Sequence, residues 1–457
     1  MRANNLKYYI FIVGCAMNYS DSERIAAVFD SFGFTRSKSE EDANILIAVS
    51  CSVRQTAVDR IYGKSGDWKK RKKKDPGFLT ILSGCVLPED KKKLKESFDL
   101  IFEINNIEEL KKFLVSSVKK INSKNKNNLI KNESDYSKIL NCDKDYLSII
   151  PSYESSFRAY VPIMTGCNNF CSYCAVPYVR GREKSRPSAE IIKEIKNLVK
   201  RGFKEIILLG QNVNSYQVAS NEKFLKVGGH RNRESFLKLI KKIDQIGGDY
   251  RVYFYSNHPK DMSLDLISAM SNLKHFPPYI HLPLQSGSDR ILKSMNRHYT
   301  QKEYLGLVSR IKKDIPNVGI TTDVIVGYPG ETVEDFSQTK KVFEKVGFEM
   351  AFISTYSPRP MTASSKIKDD IPLEEKRRRE KILTEILRKN LILKNKKMIG
   401  KTVRVLVDGR KGEVFYGRDD LYKVVEIETD APIVLGQFIK VKIIKTDAWR
   451  IKGKVIS

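Results

Sequence analysis

The sequence predicts an α/β protein in three parts: a small doubly wound amino-terminal domain, a central partial (βα)6 barrel and a carboxyl-terminal β-barrel. Over residues 6–115, apolar runs alternate with helical stretches, the pattern of a parallel sheet. Over 153–385, six strand-like runs are each followed by a helical one. From 396 to 457, five short alternating strands are separated by turn residues after a long charged helix. A connector over 116–152 divides the first two parts.

Length and composition limit the function. A chain of 457 residues exceeds one ordinary domain, and 41% hydrophobic residues suffice for real cores. Lys and Arg number 82 against 54 Asp and Glu, a formal charge of +28. That excess favours a polyanionic partner, RNA or DNA before a membrane. With no apolar run of bilayer length and no signal-peptide core, the expected protein is soluble and cytoplasmic. Seven cysteines in a reducing compartment read as ligands rather than disulfides.

In the amino-terminal part, three apolar runs end in a cysteine: Tyr8 to Val13 before Gly14-Cys15, Ala43 to Val49 before Ser50-Cys51, and Phe78 to Leu82 before Ser83-Gly84-Cys85. Asp21-Ser22-Glu23 opens an amphipathic stretch read as a helix with an acidic first turn. Ligands of doubly wound sheets collect beyond the carboxyl ends of the strands, where all three cysteines fall. Each alone reads as a small buried hydrophobe; three at one sheet edge read as a ligand set. The connector is dominated by Lys, Asn and Ser over Lys119 to Asn132 and reads as flexible. Cys142, without partner or spacing, reads as an incidental thiol.

The central part opens on Gly166-Cys167-Asn168-Asn169-Phe170-Cys171-Ser172-Tyr173-Cys174, a C-x3-C-x2-C loop. Thiolates are the ligands that iron–sulfur clusters select, and three of them leave one iron of a four-iron cluster without a protein ligand. A structural zinc site wants four ligands, and no histidine or further cysteine lies near in sequence. Strands follow at Glu205 to Leu209, Arg251 to Tyr255, Tyr279 to Leu284, Val318 to Val326 and Met350 to Tyr356. Helices fall around Ser188 to Lys200, Phe236 to Ile246, Ser263 to Ser271, Lys302 to Ile311 and Thr332 to Val346, with a surface insertion over Asn221 to Arg233. Polar strand exits place the chemistry at the carboxyl ends. His258 and His281 read as acid–base groups or as hydrogen-bonded core residues. Arg182 and Arg186 read as anion contacts or as structural ion pairs.

Leu373 to Lys397 reads as a long charged helix whose Lys376-Arg377-Arg378-Arg379 run is a solvated face suited to phosphates. The five strands after Lys401 suggest an oligonucleotide-binding barrel, with 12 basic and 8 acidic residues. Tyr416, Tyr422 and Phe438 are its candidate stacking or core aromatics.

The cysteine loop resembles that of the radical S-adenosylmethionine (SAM) enzymes, and Gly166 to Pro187 resembles the methylthiotransferase family within them. Gly14-Cys15-Ala16-Met17-Asn18, Cys51-Ser52-Val53-Arg54 and Gly84-Cys85 resemble that family's amino-terminal ligand motifs. The end of the chain resembles a TRAM domain, with Gly417-Arg418 in a matching position, so the resemblance spans essentially the whole chain.

This resemblance implies two [4Fe-4S] clusters. Cys167, Cys171 and Cys174 hold the one whose open iron binds and cleaves SAM; Cys15, Cys51 and Cys85 hold an auxiliary cluster that carries the sulfur. It also implies that Gly210, Gln211 and Asn212 meet the methionine end of SAM and that Asp323 lies beside the adenine. No side chain is implied as catalytic, because cluster and cosubstrate carry the chemistry. The implied reaction is methylthiolation of carbon 2 of N6-isopentenyladenosine at position 37 of tRNA. Gly181-Arg182-Glu183, Gly210-Gln211-Asn212-Val213-Asn214 and Met295-Asn296-Arg297 resemble that branch. Alternatives are sister enzymes acting on threonylcarbamoyladenosine in tRNA or on a ribosomal protein, and a non-catalytic RNA-binding iron–sulfur protein. Implied partners are a tRNA anticodon stem–loop, an electron donor and a sulfur source; the chain is expected to act as a monomer away from membranes. The sequence departs from the family at Ala16 (usually glutamine), at Val49 (usually asparagine) and at Val86-Leu87-Pro88 (commonly Met-Ala-Gln).

Overall fold

The computed structural model describes residues 6–52, 55–125, 145–219 and 233–456. The amino-terminal sheet has five strands: β1 (Lys7–Val13), β2 (Thr35–Arg36), β3 (Ile45–Cys51), β4 (Leu79–Cys85) and β5 (Leu100–Ile101). Their order is β2-β1-β3-β4-β5 and every pairing is parallel. β3, with the sequence ILIAVSC, is buried at every position, as a central strand covered on both faces must be. In register, Cys51 lies directly beside Cys85. The sheet thus carries all three cysteines at or just past its carboxyl edge.

The helix after β1 corrects one expectation. It runs Ala16–Ser31, with Cys15 as N-cap and Asn18 closing a capping box, so no acid lies in its first turn. Asp21, Ser22 and Glu23 are instead buried. Their partners come from elsewhere: Arg180 and Tyr146 reach Asp21, and the Glu154 N–H donates to Glu23. Burial above all raises the Glu23 carboxyl to about 7, and its second oxygen has no partner among the described residues. A carboxyl raised on folding adds stability below its unfolded value, and that stability is lost as pH rises through the folded value. Glu23→Gln should therefore stabilise the protein by on the order of 3 kcal/mol near pH 8 and change little near pH 4, measured by urea unfolding.

The connector also departs from expectation. The helix Ile107–Asn125 extends ten residues into it, and Tyr146 and Leu147 beyond it are buried in the amino-terminal core. Cys142 and most of the insertion over 221–233 lie outside the described residues; the strands Gln217–Ala219 and Arg233–Ser235 that flank the insertion pair antiparallel.

The central domain has six parallel strands in two hydrogen-bonded sets. Arg158–Pro162, Glu205–Leu209 and Arg251–Phe254 form the first; Tyr279–His281, Gly319–Val326 and Met350–Thr355 form the second. Helices between the strands bury one apolar face each on a common core. Asp289–Ser294 is a further helix with no counterpart in the sequence reading.

The helix Leu373–Lys396 packs back on this barrel. Its basic run is only half a solvated face, because Lys376 and Arg379 are buried against Asp369 and Glu331 while Arg377 and Arg378 stay exposed. The last five strands close into an antiparallel barrel with one parallel pair, Val424–Glu428 beside Ile451–Val455. No helix among the described residues is long and apolar enough to cross a membrane.

Candidate active site

One cavity of about 590 Å³ is lined by Cys15, Cys51 and Cys85 and by Cys167, Cys171 and Cys174. The two triplets come from different domains and face the same space. Gly210, Gln211, Asn212 and Asp323 line it as well, so the residues that the resemblance implied as cluster and SAM contacts line one space.

The cysteines are placed by backbone that only glycine allows. Gly84 has φ +103°, and a Cβ there would lie 2.3 Å from the Ser50 carbonyl oxygen. Gly166 has φ +78°, and its Cβ would lie 2.0 Å from the Arg182 carbonyl oxygen. The central loop is braced by the segment that precedes Tyr299. Asn296 donates to the carbonyls of Asn169 and Phe170 at 3.1 and 3.0 Å, and Ser172 N–H donates to Met295 at 3.0 Å.

Each triplet also receives a buried guanidinium. Arg180 Nε donates to Cys85 Sγ at 2.9 Å, and Arg297 Nη1 donates to Cys171 Sγ at 3.4 Å. Their surroundings differ. Arg180 is ion-paired with Asp21 at 2.5 Å, with both side chains at most 1% exposed. Arg297 otherwise meets only the Tyr299 hydroxyl and ring and the Pro283 carbonyl; no carboxylate pairs with it among the described residues. The sequence reading named Arg182 and Arg186 instead. Arg186 is tied to Glu194 and the Pro162 carbonyl, and Arg182 stacks on Phe170. Only packing separates the two pairs, since all four lie in similar basic or polar stretches.

Hydrogen bonding with Cys51, and then Arg180, hold the exposed Cys15 thiol down at about 6. The same partner lowers Cys85, while Cys51 itself is raised. Burial pushes Cys174 up to about 12 and raises Cys167. Burial, and then Arg297, push His258 down to about 2. His258 Nδ1 accepts the Lys260 N–H at 3.2 Å, which puts the ring proton on Nε2. His258 is thus a neutral donor, not a proton carrier. His281 is hydrogen-bonded on both nitrogens, to Thr321 and Asp323.

Among the described residues, no three His, Cys, Asp or Glu side chains are arranged to chelate a single metal ion. A cluster makes a different demand, because its thiolates bind separate irons. Each triplet offers soft donors only, with a cation beside them to offset the negative charge of a thiolate-bound cluster. Gln211 Oε1, Asn212 Oδ1, the Tyr255 hydroxyl, Asn257 Oδ1 and His258 Nε2 belong to residues lining the same cavity and are buried without a partner among the described residues. Such atoms fit a polar cosubstrate. Of the departures from the family pattern, Ala16 lines the cavity, whereas Val49, Val86 and Leu87 are core residues and Pro88 opens a helix.

Fold and site together define a radical SAM enzyme with an added domain at each end. Residues 161–343 match the radical SAM superfamily, 7–103 match a family described as "Uncharacterized protein family UPF0004", and 396–456 match the TRAM domain. A tRNA-2-methylthio-N(6)-dimethylallyladenosine synthase of Clostridium perfringens is 38% identical over 465 residues, covering 99% of both chains. Another, from Caldicellulosiruptor saccharolyticus, is 39% identical over 458 residues, 99% of this chain and 93% of its own. The chain belongs to the family of these tRNA-2-methylthio-N(6)-dimethylallyladenosine synthases. Among solved structures, the radical SAM methyltransferase TsrM from Kitasatospora setae, bound to tryptophan and a SAM analogue, shares the fold. Its TM-score is 0.52 at 11% identity, over 79% of this chain and 75% of the other.

Proposed function

We propose that this chain methylthiolates carbon 2 of N6-isopentenyladenosine beside the anticodon of tRNA. The observation that carries the reading is the single cavity shared by two cysteine triplets from two domains. The hydrogen on carbon 2 is too weakly acidic for any side chain to remove, so bound [4Fe-4S] clusters and SAM would supply one-electron chemistry, sulfur and the methyl group.

The chain holds and shields these groups. Cys167, Cys171 and Cys174 would hold the cluster that meets SAM, and Cys15, Cys51 and Cys85 the auxiliary one. Gly210, Gln211 and Asn212, at a strand exit, would take the polar end of SAM, and Asp323, held by His281, its adenosine. His258, neutral and with its Nε2–H unpaired on the cavity, would offer a donor to the bound cosubstrate. The carboxyl-terminal barrel supports an RNA substrate through its basic surplus, and that substrate places the enzyme in the cytoplasm.

The test is anaerobic incubation of the reconstituted protein with isopentenylated tRNA, SAM, sulfide and a reductant, followed by nucleoside mass spectrometry. We expect 2-methylthio-N6-isopentenyladenosine; its absence, or product only on threonylcarbamoylated tRNA, refutes the proposal.

A further inference from the structure

Among the described residues of the carboxyl-terminal barrel, Tyr422 alone lines the cysteine cavity. It sits in the turn between the strands Val414–Asp419 and Val424–Glu428 with φ +64°. An aromatic side chain adopts that left-handed conformation only where its surroundings over-determine it. Here they do. The Asp419 carboxylate accepts the N–H groups of Leu421 and Lys423 at 3.0 and 2.8 Å. Buried Arg251 donates to the carbonyls of Arg418 and Asp419, both at 3.1 Å. Lys423 pairs with Glu349 at 2.5 Å. The turn is held by its own aspartate and clamped to the central barrel by Arg251 and Glu349, and the clamp delivers one ring into the cavity.

That ring completes a wall made mostly of aromatic and aliphatic faces, with the Tyr255 hydroxyl buried in it and unpaired among the described residues. The ring meets Tyr253, Tyr255 and Tyr279 with centroids 4.9, 6.0 and 5.9 Å apart, in a cluster that includes Met17, Ile207 and Leu209. All three domains contribute to it. The wall fits a branched alkyl chain; the guanidinium groups that line the cavity are engaged elsewhere, Arg180 by Asp21 and Cys85 and Arg297 by Cys171, while Asp323 would repel a carboxylate.

Building on the function proposed above, we propose that this wall takes the N6-alkyl group of the target adenosine, and that Tyr422 sets selectivity for an alkyl over a polar acyl substituent. The substituent chemistry is then read inside the cavity, by a residue that the RNA-binding barrel inserts.

The test uses reconstituted full-length protein under anaerobic conditions. Fluorescence anisotropy compares anticodon stem–loops that carry isopentenyl-, threonylcarbamoyl- or unmodified adenosine beside the anticodon. Each buried methylene is worth about fourfold in affinity, so the wild type should prefer the isopentenylated RNA over the unmodified by roughly tenfold or more. Tyr422→Gly is the informative variant, because glycine accepts the same backbone angle and the turn keeps its shape. It should weaken binding of the isopentenylated RNA most and so reduce the preference to within roughly twofold, whereas Tyr422→Phe should keep the preference. Full preference in Tyr422→Gly, or equal loss for every RNA, overturns the proposal. A wild type that makes methylthio product yet binds all three RNAs equally overturns this subsite alone. A wild type that makes no such product removes the functional reading, and this inference with it.

Discussion

Replacing Cys51 by alanine should abolish methylthio product while SAM is still cleaved under reducing conditions; replacing Cys171 should abolish both. The two residues line one cavity but belong to triplets on separate domains, so each substitution should remove one cluster and spare the other. Chelated iron should fall by about half in either variant, because on the proposed function two clusters of equal size would share it. On the proposed assignment SAM cleavage would depend only on the central triplet, which Cys51→Ala leaves whole. Substitution of Cys142, which lies in no ligand motif, should change neither readout. Iron analysis, 5′-deoxyadenosine measured by chromatography and nucleoside mass spectrometry on the same samples separate the cases. Loss of SAM cleavage in Cys51→Ala with the central cluster intact would falsify the division of labour. So would full product from it.

The six cysteines were legible because spacing and strand ends carry their own signal. A C-x3-C-x2-C loop is local, and the other three each follow an apolar run at one sheet edge. The long strands were legible for a similar reason: a strand buried on both faces, such as ILIAVSC, needs no knowledge of its neighbours, whereas the two-residue edge strands Thr35–Arg36 and Leu100–Ile101 carry too little pattern to read. What escaped was decided between domains. Asp21 read as a helix-terminal acid because acids commonly sit there, whereas its partner Arg180 lies 159 residues away. Lys376 and Arg379 read as part of a solvated run because nothing in four consecutive basic residues says that two face Asp369 and Glu331. Tyr422 read as core or stacking aromatic, and its place on the cavity wall depends on a turn clamped by Arg251, far away in sequence. Met295-Asn296-Arg297 was legible as a family signature but not as the brace of the cysteine loop.

Arg180 and Arg297 should fail in opposite ways when neutralised. Arg180 and Asp21 form a buried ion pair across the interface between the amino-terminal and central domains. Arg180→Gln leaves that carboxylate buried without its cation and should cost about 3–5 kcal/mol of stability, restored in large part by the double variant Arg180→Gln, Asp21→Asn. Thermal unfolding of the anaerobic holoprotein reads this directly. Arg297 has no carboxylate to strand, since its charge is spent on Cys171 and on whatever anion the cavity holds. Arg297→Gln should therefore fold nearly as well as the wild type. Its defect should be electrostatic. Reduction would add one negative charge to the cluster that Cys167, Cys171 and Cys174 would hold, and a nearby cation without a carboxylate partner would favour the reduced form. At an effective dielectric of about 20 and a separation of roughly 6 Å, losing that cation lowers the midpoint potential by on the order of 100 mV. Redox titration followed by electron paramagnetic resonance should show this shift in the cluster of the central triplet and little change in the other. An unshifted potential in Arg297→Gln, together with a stability loss like that of Arg180→Gln, would make both arginines structural and erase the distinction between them.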